Sequence, residues 1–338
     1  MLEKLCGLFG PSGCETEVSA FIKGQIQGNC EISEDYMGNL ICFKKGKKKR
    51  NNRVLLCAHM DEVGFIIVDI TKDGYLQFDT VGGLDSRILL GQKVLIGPNR
   101  VNGVIGVKAI HLVRRDKADQ LVDLQDMYID IGAQSKEEAE QLISKGDYAV
   151  FSSEFRHFGD RKVRGKAIDD RAGCAILIDL IQSDLEYDTW FAFTVQEEAG
   201  LRGARVIAGQ AEPDICMVVE TTSCGDLPKV SPQKHNTTLG KGVAISNIDH
   251  ASVADIELKQ SLIDLCRRES ISYQMKRTVN GGNDAGAIFQ SLGGVSTCTI
   301  SIPCRYIHSS GCVISLDDYE AAKSAAYAFV NRIGGDRV

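Results

Sequence analysis

The feature that most constrains this chain is an interruption. Residues 1–64 and 164–338 read as alternating apolar strands and helices, whereas 65–163 breaks into short β-rich runs punctuated by Gly and Asn. Before the break, the pattern predicts a helix over Glu15–Ile26 and strands over Glu31–Asp35, Leu40–Lys44 and Val54–Ala58. After it come a helix over Arg171–Leu180, a strand over Thr189–Val195, a helix over Gly203–Gly209 and a strand over Ile215–Val219. A helix over Ser252–Arg268, a strand over Val295–Ile302 and a closing helix over Leu316–Ile333 complete the series. Such alternation builds a sheet covered by helices, so the two halves are expected to close into one α/β domain. The stretch between is then an inserted small β-rich domain, with runs such as Tyr75–Phe78, Lys93–Ile96 and Val101–Val107. One short helix within it is announced by the capping-box spacing of Ser135 and Glu138. With 338 residues, 43% of them hydrophobic, the chain is long enough to bury such cores.

Charge and composition narrow the function. A net charge of -6, with 25% charged residues and no long single-sign block, gives no electrostatic footprint for nucleic acid. The one cationic run, Lys44 to Arg50, ends in Asn51-Asn52 and reads as a solvated turn. No stretch approaches the ~20 apolar residues of a membrane span, and Met1–Leu5 does not open a signal peptide's apolar core, so a cytoplasmic protein with no membrane partner is expected. The twelve cysteines contain no CxxC pair, and Cys298, Cys304 and Cys312 lack structural-zinc spacing. They read as reduced, mostly buried thiols.

Chemistry gathers where apolar strands end. Val54–Ala58 runs into His59-Met60-Asp61-Glu62, and the two-residue period of extended chain points His59 and Asp61 the same way. A histidine that binds a metal through one ring nitrogen needs a partner for the other, and Asp61 is placed to be one. Lys166-Ala167-Ile168-Asp169-Asp170-Arg171 sets an acidic pair at the entry to a helix; an N-cap accounts for one aspartate, and the other is free to face a metal. The apolar strand Thr189–Val195 ends in Gln196-Glu197-Glu198, where one glutamate can bind a metal while its neighbour accepts a proton. Glu220, after Ile215–Val219, and His308, after Ile302, fit the same pattern. Each alone is equally an ordinary charged group at a strand end. Together, two histidines and three carboxylates suit a pair of Zn²⁺, Co²⁺ or Mn²⁺ ions, with one bridging carboxylate and a shared water made acidic enough to yield hydroxide near neutral pH.

Four segments carry a resemblance. Ala58-His59-Met60-Asp61-Glu62-Val63-Gly64, Ala167-Ile168-Asp169-Asp170-Arg171-Ala172-Gly173, Gln196-Glu197-Glu198-Ala199-Gly200 and Arg305-Tyr306-Ile307-His308-Ser309 are similar to the motifs of the M42 family of metallo-aminopeptidases. Ser12-Gly13-Cys14-Glu15, Met37-Gly38-Asn39-Leu40, Val81-Gly82-Gly83, Tyr128–Gly132 and Gly281–Ala285 support it, so that it covers nearly the whole chain. The resemblance implies a mixed-sheet α/β/α zinc-peptidase-like catalytic domain with an inserted β-rich oligomerisation domain. It implies that Asp169 bridges two divalent metal ions, that His59 and Glu220 complete one site and Glu198 and His308 the other. Glu197 would be the general base and Asp61 the group behind His59. A cis peptide between Asp169 and Asp170 is also implied, as is a homo-oligomeric shell of twelve subunits, with short peptides bearing a free N-terminus as substrates. Two departures stand out: many relatives carry Asp in place of Glu220 and Thr in place of Asn283.

Three other readings compete. Paired carboxylates also hydrolyse glycosidic bonds, but that chemistry leaves His59 and His308 without a task, and the single Trp is few for sugar platforms. A catalytically silent assembly protein should have lost a ligand or the base, and each position here carries a usable side chain. A two-metal deacylase or amidohydrolase acting on small N-acylated molecules shares the same residue types.

Overall fold

A computed structural model describes residues 1–112 and 120–332. The first segment forms α1 (Leu2–Gly7), α2 (Thr16–Ile26), β1 (Glu31–Glu34), β2 (Leu40–Lys44) and β3 (Val54–His59). Then follow β4 (Gly64–Ile70), β5 (Leu76–Val81), β6 (Lys93–Ile96), β7 (Val101–Val107), β8 (Met127–Asp130), α3 (Lys136–Glu140) and β9 (Tyr148–Phe151). The chain continues through β10 (Arg156–Phe158), β11 (Lys162–Gly165), α4 (Ile168–Gln182), β12 (Thr189–Thr194), α5 (Arg202–Ala211) and β13 (Ile215–Ser223). It closes with β14 (Val243–Ile245), α6 (Ile256–Arg268), β15 (Tyr273–Met275), α7 (Ala285–Phe289), β16 (Ser296–Arg305), β17 (Cys312–Ser315) and α8 (Leu316–Arg332).

The strand β3 explains the layering. Val54, Leu56 and Ala58 join an apolar cluster with Ile176 of α4 and Phe329 of α8, while Leu55 and Cys57 pack with Ala204 and Ile207 of α5. Side chains alternate across a strand, so an unbroken apolar run is what a strand covered on both faces requires. β13 repeats the division, with Met217 and Val219 on one side and Cys216 and Val218 on the other. The large sheet runs β1-β2-β12-β3-β13-β16-β17-β11-β10. Its centre, β12-β3-β13-β16, is parallel, and antiparallel strands continue it on both sides. The fold is therefore a mixed-sheet α/β/α sandwich.

The β-rich insert is a second unit. β4, β5, β8, β7, β6 and β9 close into a barrel, which leaves no open sheet edge. Phe65 sits at its centre, meeting the rings of Phe78 and Phe151 edge-on at 5.3 and 5.2 Å. β10 lies within the stretch 65–163 and β11 straddles its end, but the two pair with each other, and β11 with β17, at the edge of the large sheet. The change of sheet thus falls between Phe151 and Arg156.

Several elements differ from expectation for local reasons. α6 begins at Ile256 and not Ser252, because the Asp255 carboxylate accepts the Leu258 amide at 2.9 Å and caps the helix there. β13 runs on to Ser223, pairing with β16 as far as Cys304, so Glu220 lies inside a strand and not at its end. Of the final helix, Ile333 lies outside the described residues. None of the twelve cysteines forms a disulfide, and nine are buried. No helix among the described residues is long and apolar enough to cross a membrane.

Candidate active site

The parallel pairing of β3 and β12 sets His59 opposite Thr194, so the His59–Glu62 turn and the Gln196–Glu198 loop leave the sheet at the same end. In open α/β sheets the carboxyl edge of parallel strands is where ligands bind. His59 is buried, and its Nδ1 faces the Asp61 carbonyl at 3.1 Å and Asp61 Oδ1 at 3.4 Å. The fully buried Asp61 carboxylate does more than orient the ring. It accepts the amides of Glu197 and Glu198 at 3.0 and 3.1 Å and the Ser12 hydroxyl at 2.6 Å.

Asp169 reaches the same place from the head of α4, where Asp169 and Asp170 are non-helical and the peptide bond between them is cis. Its two oxygens divide between two imidazoles: Oδ1 is 3.4 Å from His59 Nε2, and Oδ2 is 3.3 Å from His308 Nε2. His308 Nε2 also lies 3.1 Å from Glu198 Oε1, which nevertheless makes no aligned hydrogen bond. The far nitrogen of His308 contacts the Gly83 carbonyl at 2.8 Å, so the loop beyond β5 orients this ring. Donor atoms of His59, Asp169 and Glu198 all lie within 4.8 Å of one another.

Charge makes this cluster unusual. Burial pushes the carboxyls of Glu197 and Glu198 up, only partly opposed by the nearby imidazoles, and carries Glu220 up to about 8. Burial works against the His59 and His308 cations, yet the hydrogen bonds that His59 donates to Asp169 and Asp61 push it well up, and Glu198 and Asp169 carry His308 up to about 12. Asp169 is held low despite burial by hydrogen bonds from those same rings. Without another cation, imidazolium protons compensate the carboxylates. The donor set, imidazoles and carboxylates with atoms of His59, Asp169 and Glu198 within 4.8 Å of one another, therefore fits divalent metal.

Glu220 stands apart from the tight group. Its Oε1 accepts from Asn283 Nδ2 at 2.9 Å and from the Ser301 hydroxyl at 3.2 Å, while Asp169 and His59 still act on it electrostatically. The two positions that depart from the family pattern thus touch each other. Sequence reasoning missed Ser301 and Asp249, which accepts Asn283 at 3.3 Å. It also missed Asp284, buried and bonded by the Thr194 hydroxyl, and Glu15, buried at the start of α2. The Gly281–Ala285 and Ser12–Glu15 motifs drew attention to two of these positions, Asp284 and Glu15, but roles depend on contacts made only in the folded chain.

A family model described as M42 glutamyl aminopeptidase matches residues 38–324. The chain belongs to this M42 family. A TET aminopeptidase structure from a marine Thaumarchaeota archaeon superposes with a TM-score of 0.94 at 36% identity, covering 98% of this chain and 95% of that one. A Pyrococcus horikoshii TET1 peptidase, whose structure is described as assembling into a tetrahedron or a large octahedral shell, is 33% identical, with a TM-score of 0.87 and 98% coverage of both chains. A Thermotoga maritima structure described as an endoglucanase is 37% identical, with a TM-score of 0.81 over 98% of this chain and 96% of that one. As an M42 aminopeptidase, the protein is a peptide-bond hydrolase of a metal-dependent family, and the group around His59, Asp169 and Glu198 is its candidate metal centre.

Proposed function

We propose that the protein is a co-catalytic two-metal aminopeptidase that removes N-terminal residues from short peptides. The observation that carries this reading is the division of Asp169 between His59 and His308, one carboxylate oxygen to each ring. In this reading Asp169 would serve both ions, His59 and Glu220 would hold one, and Glu198 and His308 would hold the other, with Zn²⁺ or Co²⁺ favoured and Mn²⁺ acceptable to the same donors. Bound together, such ions supply Lewis acidity that polarises the scissile carbonyl and acidifies water. Glu197 is the proton acceptor: its amide is fixed by Asp61, its carboxylate is free of ligand duty, and burial raises its proton affinity toward that of a base working near neutral pH. Glu197 then returns the proton to the departing amine. Asp61 holds the His59 ring and the loop that carries Glu197. His308, the most exposed of the group, lies on the open side, where a peptide can enter.

Self-association into a closed shell is part of the proposal, supported by likeness to the P. horikoshii TET1 peptidase. So is a cytoplasmic location, where twelve unpaired thiols stay reduced. A two-metal deacylase would use the same donors, and a panel of substrates separates the two. Metal-stripped protein given Zn²⁺ or Co²⁺ should cleave aminoacyl nitroanilides and spare their N-acetyl counterparts. Preferential cleavage of the acetylated series would move the assignment to a deacylase, and inertness with metal bound would indicate a silent assembly protein.

A further inference from the structure

The loop that carries Glu197 and Glu198 is held in an unusual way. Four consecutive amides, Val195 to Glu198, each donate to a side chain and not to a neighbouring strand. Val195 donates to Asn39 Oδ1 at 3.0 Å, Gln196 to Glu15 Oε1 at 3.1 Å, and Glu197 and Glu198 to the two oxygens of Asp61. Gln196 adopts φ 55°, the left-handed turn that swings the following amides inward. Asp61 has an evident second task behind His59. Glu15 has none.

Glu15 stands at the N-cap of α2, yet its side chain makes no capping bond to its own helix. Its Oε1 instead accepts the Gly13 amide at 2.8 Å together with the Gln196 amide, and the residue is 7% exposed. The surrounding segment is fastened to the same site: Ser12 donates its hydroxyl to Asp61 and its amide to the Glu62 carbonyl, and the Glu62 amide returns to Gly10. The N-terminal loop is thus a brace connecting the end of β3 to the loop after β12.

We propose that Glu15 is a positioning residue, which with Asp61 clamps the Gln196–Glu198 backbone and so aims the Glu197 carboxylate. This rests on Glu197 being the proton acceptor. Without the Glu15 oxygen, the Gln196 amide loses its acceptor and the left-handed turn loses its anchor one residue from the base. Displacement of a reacting group by about 1 Å can cost about 100-fold in rate.

The test compares Glu15→Ala, Glu15→Gln and Glu197→Gln in the metal-loaded full chain, reading kcat and KM separately and bound metal per subunit. Glu15→Ala is expected to lower kcat by about 10- to 100-fold, with KM and metal content near wild type. Glu15→Gln, whose amide oxygen still accepts the Gln196 amide, should recover most of that loss. If Glu15→Ala fails to fold, Glu15→Asp takes its place, keeping the charge but drawing the oxygen back by one methylene. A wild-type kcat in the shortened variant, equal impairment of shortened and Gln variants, or a loss that tracks missing metal would overturn the proposal. The Glu197→Gln arm separates the two ideas. Retained turnover there removes the base assignment itself, whereas an inactive Glu197→Gln beside a normal Glu15→Ala removes the clamp alone.

Discussion

Asp169 offers one oxygen to each of two imidazoles, and burial leaves the carboxylates around it short of positive charge. Metal and protons therefore compete for one set of donors. His308, carried up to about 12, and His59, pushed well above its usual value, both hold protons at neutral pH in the metal-free protein. Metal must displace them, so affinity for Zn²⁺ should strengthen as pH rises and weaken in acid. Calorimetry at neutral pH in buffers of differing ionisation heat should register release of the protons held by both rings and by Glu220, carried up to about 8; binding without proton release would show that these donors are already deprotonated beforehand. Glu197 predicts a different signature. Glu197→Gln removes the proton acceptor and no ligand, so metal content should persist while kcat falls by about 100-fold or more. Turnover near wild type in a metal-replete Glu197→Gln enzyme would exclude this residue as the base.

At the scale of elements, what ties α1, the end of β3 and α4 together is a buried ionic group. Arg171, wholly buried, donates to the carbonyls of Leu5 and Met60 at 2.7 and 2.8 Å. Lys166 donates to the Leu8 carbonyl at 2.7 Å and to both oxygens of Glu62 at 2.7 and 2.9 Å, and Arg171 stands 3.4 Å from the same carboxylate. Glu62 is the shared anion of two buried cations. Glu62→Gln should destabilise the fold by about 3–5 kcal/mol, because it strands charge in the interior. Thermal unfolding checks this, and an unchanged Tm would mean that water or another carboxylate reaches the pair. The sequence displays Lys166, Arg171 and Glu62 inside motifs, yet nothing local says that they meet. Strands β3, β12 and β13 are legible because apolar runs must be covered on both faces, and the groups that follow those runs are legible as candidates for the same reason. α1 is not, since its six residues set Leu2, Leu5 and Cys6 at helical spacing over too short a stretch to establish a period. Nor is the register that carries β13 past Glu220 to Ser223, because it is set by β16, some eighty residues later in the chain.

On the scale of the whole molecule, the exposed large apolar side chains ask for a partner. Within the insert they include Val104, Ile110, Leu112 and Leu121, the last 72% exposed; in the α/β part they include Ile248, Val253, Leu292 and Ile256, the last 74% exposed. Contiguous apolar surface marks protein contacts, and these side chains are where the shell reading can be tested. The barrel is closed, whereas the large sheet ends in β1 and β10, so a partner can meet the chain through side chains or along those two edges; the side-chain contacts are the ones sensitive to charge. Light scattering on purified protein should accordingly give a mass several-fold above the 36.8 kDa of one chain. Ile256→Glu and Leu121→Asp place a charge at positions outside both cores, so each should reduce particle size while far-UV circular dichroism and bound metal stay unchanged. If Leu121→Asp alone reduces it, the insert makes the contacts; if Ile256→Glu alone does, the α/β domain makes them. A wild-type monomer at micromolar concentration would remove the shell from the proposal and leave the active site open to folded proteins as well as to short peptides.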